Sequence, residues 1–233
     1  SITKTLSNGL NIDLIKNEVT NLFTELNSDV GNIRESEWGG NTKNFIKEII
    51  DKQKNPEKHK GALSGIEEFD EFSGGIRKGE LAAIRLKRKE GKTNYLCQVA
   101  LTNVLQGKNV LFFTIESSRE SIEGRLHSYL TAIPHDQFHQ AKATVEELKH
   151  VLTTRNERKD TMGNLWIVDC PQGITPNILG SQIKKYQGKG PIGVVCADYM
   201  NIMNTNNNDS AMLDWKAQTN LSIELKRIAR QYE

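Results

Sequence analysis

The chain has little of what marks a membrane-bound, secreted or disulfide-built protein. No apolar run approaches the roughly 20 residues that a bilayer-spanning helix needs, and no charged-then-apolar secretory leader is read at its start. Only 3 of 233 residues are cysteine. Cys97, Cys170 and Cys196 lie far apart, form no C-x-x-C pair and sit in apolar segments. They read as reduced core residues of an intracellular, cytoplasmic protein, not as bridges or metal ligands. Excess charge of one sign is also lacking: 31 Lys and Arg against 29 Asp and Glu leave +2, so global charge does not announce a nucleic-acid binder. Hydrophobic residues make up 36% of the chain and mean hydropathy is −0.55, which leaves room for only a modest core. No internal repeat is visible. The one low-complexity tract, Asn204 to Asn208, reads as a loop.

What the chain does have is Gly91-Lys92-Thr93 between two apolar segments. Glu80–Ile84 is expected to be a strand, and Thr93–Leu101 a helix with apolar positions on one face. A Gly-Lys-Thr at a strand-to-helix junction is the last part of a phosphate-binding loop. The glycine lets the backbone approach phosphate oxygens, and the helix start offers unpaired N–H groups at the positive end of a dipole. Lys92 would reach the β- and γ-phosphates of ATP, and the Thr93 hydroxyl would ligate Mg²⁺. The glycine of the full motif, five residues before Gly91, is absent. Leu86 stands there, and Lys87-Arg88-Lys89-Glu90 fill the loop with bulky, charged side chains. A leucine at a turn position takes positive φ only at a cost, so a remodelled loop with altered nucleotide affinity is expected. Lysine-rich surface turns also carry such tripeptides, so the other motifs must decide.

Residues 1–60 read as an N-terminal helical segment. Asn11–Leu26 has apolar residues at helical spacing, and a second helix over 42–54 carries Phe45, Ile46, Ile49 and Ile50 on one face. Two short amphipathic helices bury little on each other, so docking onto the main domain or a neighbouring subunit is expected. Residues 61–233 alternate. Leu111–Ile115, Leu165–Val168 and Ile192–Ala197 read as strands; Ser121–Thr131, Ala143–Asn156, Ile178–Tyr186 and Leu213–Gln231 read as helices. Val145, Leu148, Val151 and Leu152 are expected to face inward. The alternation predicts an α/β fold with a mostly parallel sheet and helices on both faces.

Two acids stand where a nucleotide machine needs them. Asp198 ends the apolar strand Val194–Ala197, the arrangement that holds the Mg²⁺ water shell beside Thr93; the alternative is a simple strand-end cap. Glu116 ends the strand after the loop helix. Open parallel sheets gather ligand groups at the carboxyl ends of their strands, where a carboxylate can orient and deprotonate an attacking water. Its alternative is the first charge of the next helix. Arg119 and Arg125 are open between phosphate, a neighbouring subunit and solvent. His135 and His139 lack a third ligand and read as surface histidines. Tyr95 is open between a nucleotide base and core packing.

Five ordered stretches then resemble the C-terminal motor region of DnaB-type replicative DNA helicases, including the phage-encoded branch. Leu63 to Leu81 is similar to the family's lead-in rhythm T-G-x-x-x-L-D-x-x-T-x-G-L-x-x-G-x-L, and Gly91-Lys92-Thr93 follows at the expected distance. Val110 to Arg125 resembles the strand and helix written V-L-x-x-S-L-E-M-S with a later arginine. Asp198-Tyr199-Met200-Asn201-Ile202-Met203 resembles D-Y-L-Q-L-M, and Leu225 to Arg230 resembles L-K-x-L-A-K. The likeness runs from about Lys60 to Glu233.

The resemblance implies a RecA-like P-loop NTPase core that forms a homo-hexameric ring. It implies ATP and Mg²⁺ at subunit interfaces, 5′–3′ travel on single-stranded DNA, duplex unwinding in replication, and primase and a helicase loader as partners. It assigns catalysis to Glu116 and Lys92, nucleotide binding to Gly91, Lys92, Thr93 and Asn94, and Mg²⁺ to Thr93 and Asp198. The helix at 42–54 takes the place of the family's linker helix, which packs on the adjacent motor. The family runs on past the point matching Glu233, so the ATPase domain over 61–233 is expected to be truncated, with DNA loops and arginine finger beyond it. Two rivals keep the fold: a helicase-like loader, inhibitor or structural ring partner with an impaired loop, and a RecA-type recombinase or KaiC-type ATPase.

Overall fold

In the computed structural model, residues 38, 40–87, 89–205 and 215–232 are described. The sheet is built on β1 (Val110–Thr114), every residue of which is buried. It pairs in parallel with β2 (Leu165–Asp169) on one side and β3 (Val194–Asp198) on the other, in the order β2-β1-β3. The nine α-helices among the described residues are α1 (Thr42–Lys54), α2 (Pro56–His59), α3 (Glu67–Ser73), α4 (Lys92–Leu105), α5 (Arg119–Thr131), α6 (His135–His139), α7 (Val145–Arg158), α8 (Pro176–Gln187) and α9 (Trp215–Gln231). The chain divides into two units, Ser1–Ile50 and Asp51–Glu233; the sheet lies in the second.

Alternation along β1 creates the two cores. Leu111 and Phe113 pack with Leu179 and Ile183 of α8 and Leu221 and Ile228 of α9. Val110 and Phe112 point the other way, onto Cys97, Ala100 and Val104 of α4 and Ile122 and Leu126 of α5. The α/β class with a parallel, helix-flanked sheet follows the sequence reading. Local chemistry starts the helices. Ser118 caps α5 by accepting from the Ser121 N–H. Thr144 and Glu147 form a reciprocal capping box on α7. Pro176 opens α8 where a missing N–H costs nothing.

Three expectations need correction or comment. Glu80–Ile84 is not a strand: Leu81 and Ile84 are about half exposed. A short apolar stretch becomes a strand only through ladder hydrogen bonds, and no described strand pairs with the outer edge of β3. On α7, Val151 is buried but Val145, Leu148 and Leu152 are 61%, 49% and 65% exposed. This helix packs chiefly on α5 and not on the sheet, so its apolar face is only partly used. On α1, Phe45, Ile46, Ile49 and Ile50 share a helix as expected and are all exposed. The other expected N-terminal helix, Asn11–Leu26, lies outside the described residues.

One buried polar side chain ties the lead-in segment to the core. Asn103 on α4 is fully buried. Its amide donates to the carbonyls of Leu63 and Val99, both at 2.8 Å, and its oxygen accepts from the Leu63 N–H at 2.9 Å. Asn103→Ala leaves both backbone groups of Leu63 without that partner and is expected to cost about 2–3 kcal/mol, read as a lower urea midpoint at unchanged slope. The cysteines give a second test. Burial pushes the Cys97 and Cys196 thiols up to about 12 and the Cys170 thiol up to about 11. The thiolate is the reactive species, so a thiol reagent at pH 8 should label none of the three until denaturant unfolds the chain. Rapid labelling of the native protein would contradict the packing.

Candidate nucleotide site

The site gathers at the start of α4. Gly91, the residue before the helix, is left-handed at φ 86°. A Cβ there would meet nothing closer than the Asn94 Cβ at 4.0 Å, so the backbone conformation, not space, calls for glycine. Among the described residues of the preceding loop the positive φ falls on Lys89, at 66°, and not on Leu86. The loop therefore turns at a different position from the one that the missing glycine would occupy.

Two neighbours of Gly91 reach the end of β3. The Thr93 hydroxyl donates to Asp198 Oδ2 at 2.7 Å, and Asp198 is almost fully buried. Lys92 Nζ donates to the Leu86 carbonyl at 3.4 Å and lies 5.3 Å from the centre of the Tyr199 ring, a cation–π placement. Strand register brings the second acid to the same edge. Asp198 pairs with Thr114 across the β1–β3 ladder, and the Ile115 N–H donates to the Asp198 carbonyl at 2.9 Å. Glu116 is the next residue along and is exposed. It stands outside α5, whose cap is Ser118. Both acidic residues thus lie at the C-terminal ends of adjacent parallel strands, and the Lys92 ammonium lies over the ring of Tyr199, the residue after Asp198.

Other candidates have different partners. Asn94 Oδ1 accepts from Arg125 Nη1, so that arginine reaches back from α5 to the first turn of α4, with its Nε buried and unbonded. Arg119 instead pairs with Glu120 and Glu123 at 3.4 and 3.7 Å on an exposed surface. Tyr95 donates to the Ser64 carbonyl at 2.9 Å, and the Asp70 carboxylate accepts from the N–H groups of Ser64 and Gly65 at 2.7 and 3.0 Å. His135 and His139 stack on each other at 5.7 Å. Sequence reasoning missed Tyr199 under the lysine, the Arg125–Asn94 pair and the role of Asp70. Only the first had a signal, its adjacency to Asp198.

Chemically, the Thr93 hydroxyl and the Asp198 carboxylate form a hard-oxygen pair of the kind Mg²⁺ accepts, next to an ammonium and a helix start that favour phosphate. Thr93→Val keeps the volume but removes the donor from a buried carboxylate. It is expected to cost about 1–3 kcal/mol in thermal or urea unfolding without added metal, with Thr93→Ser restoring most of it.

Comparison with known proteins bears on the same region. The model of the DnaB-like helicase C terminal domain family matches residues 61–233. The replicative DNA helicase DnaB of Helicobacter pylori is 23% identical over 198 residues, covering 81% of this chain and 40% of the relative. That of a Synechocystis species is 26% identical over 151 residues, covering 61% and 16%. The chain therefore spans less than half the length of these relatives. Among solved structures, a DnaB-like replicative helicase studied with its primase interactions aligns with a TM-score of 0.66 at 20% identity, over 99% of this chain and 54% of that one. The ATPase domain of G40P aligns at 0.69 and 20% identity, over 83% and 68%. These two likenesses support the fold. Since the family match takes in the loop, both acids and the whole sheet, the chain belongs to the DnaB-like helicase C-terminal domain family.

Proposed function

We propose that this chain is the ATP-hydrolysing motor region of a replicative DNA helicase that moves on single-stranded DNA and unwinds duplex. The observation that carries the reading is the 2.7 Å contact between Thr93 and the buried Asp198 at the foot of the Gly91-Lys92 turn. A hydroxyl and a carboxylate are thereby held together beside an ammonium, where a triphosphate and its metal would be received. In this reading the amides after Glu90 and the Lys92 ammonium bind the phosphate tail, and Asn94 supports the first turn of the helix that supplies those amides. Thr93 and Asp198 would hold Mg²⁺, which when bound neutralises charge on the phosphate oxygens. Glu116, at the same strand edge, orients a water and takes its proton. Membership of a DnaB-type family supports a homo-hexameric ring, single-stranded DNA as the track, and primase and a loader as partners. Among the described residues no helix is long and apolar enough to cross a membrane.

The loop favours one competing reading, a helicase-like ring partner without turnover, because bulky residues stand where small ones are usual. Steady-state ATP hydrolysis with and without single-stranded DNA separates the two. The motor reading expects turnover stimulated by DNA. Lys92→Ala and Glu116→Gln should each lower kcat by on the order of 10²-fold or more, and DNA affinity should fall steeply with salt. Absence of turnover in the wild-type chain, equal to that of Lys92→Ala, favours the non-motor.

A further inference from the structure

The loop before Gly91 is closed by its own atoms. The Lys87 N–H donates to Glu90 Oε2 at 2.8 Å, and the Glu90 N–H donates back to the Lys87 carbonyl at 3.3 Å. Residue 89, between them, is in the left-handed region. Just upstream, the Leu86 carbonyl accepts from Lys92 Nζ. Two loop amides and the ammonium therefore already have partners inside the same turn. Glu90 is also the only acid from Arg85 to Thr93, in a stretch with five basic residues. A phosphate tail recruits N–H groups and cations. A carboxylate in that turn does the reverse. It occupies an amide as an anion would, and it repels an incoming anion.

We infer that Glu90 is an affinity-setting residue of this phosphate loop: its carboxylate clasps the Lys87 amide, holds the turn shut, and competes with a triphosphate for the loop's donors. The inference rests on the nucleotide-site reading above and goes beyond it, since it assigns an opposing role to a side chain inside the binding loop. The chemistry also sets the direction of each substitution. Glu90→Ala removes both clasp and charge. Glu90→Gln keeps an oxygen able to accept from the Lys87 N–H but removes the charge. Affinity should therefore rise in the order wild type, Glu90→Gln, Glu90→Ala. At a few ångströms in a solvated loop, one unit charge corresponds to about fivefold in affinity.

The test is calorimetric titration of the full chain with a non-hydrolysable ATP analogue plus Mg²⁺, and separately with inorganic triphosphate, which lacks base and sugar. Wild type, Glu90→Gln, Glu90→Ala and Lys92→Ala are compared after each is checked for native melting. The expected result is binding about fivefold tighter in Glu90→Gln with both probes, tighter still in Glu90→Ala, and weaker binding in Lys92→Ala. If wild type binds and Lys92→Ala does not, while both Glu90 variants bind equally or more weakly than wild type, the clasp is overturned and the nucleotide site stands. If no folded variant binds either probe, both are overturned.

Discussion

The hydrogen bond from Thr93 to Asp198 joins the two halves of the site, and most of the local architecture serves to make it. Its donor is in the first turn of α4 and its acceptor at the end of β3, 105 residues later. The two meet because α4 packs through Cys97, Ala100 and Val104 onto the sheet face that β1 and β3 share, with Phe112 and Cys196 beneath. The carboxylate is buried, so it needs a polar partner where it sits, and the threonine hydroxyl supplies one. The same parallel pairing of β1 with β3 fixes Glu116 near that edge, because register leaves little freedom two residues past Thr114.

Around this joint the molecule is less uniform than its family likeness suggests. The loop ahead of Gly91 is charged, turns at Lys89, and bonds to itself through Glu90. The segment Glu80–Ile84 leads into it without joining the sheet. On the other side of the helix start, Arg125 braces Asn94 from α5. The side chains of Asn103 and Asp70 hold the lead-in residues 63–65 by hydrogen bonds to their backbone groups. The lead-in is thus anchored at its far end, and nearer the loop the Lys226 ammonium donates to the Gly79 carbonyl at 2.7 Å.

Much of the fold was legible in the residues. Continuous β-branched and aromatic runs announced β1 and β3, and helical spacing announced α4, α5, α8 and α9. Where the reading went astray, the cause was packing that no local pattern encodes. An apolar stripe on α7 has the same sequence signature whether it meets a sheet or a single helix, and here it meets chiefly α5. Glu80–Ile84 has strand composition, but a strand is a relation between two segments, and the second half of the relation did not form. Within the site, the motif residues could be picked out from Gly91-Lys92-Thr93 and from the acids at strand ends. Tyr199 under Lys92 was marked only by its adjacency to Asp198, and Arg125 on Asn94 by nothing, because an arginine on a helix does not name its partner.

The chain by itself determined the chemical inventory: a glycine able to turn left-handed, a lysine and a threonine after it, two acids closing apolar strands, and five ordered blocks of family likeness. Those depend on residue type and local spacing, which a one-dimensional string carries in full. Only the tertiary structure decided which groups touch. It set the 2.7 Å approach of Thr93 to Asp198, the loop's closure through Glu90, and the exposure of much of the apolar face of α7. Those depend on strand order, register and the competition among helices for a limited sheet surface, which no stretch of sequence settles alone.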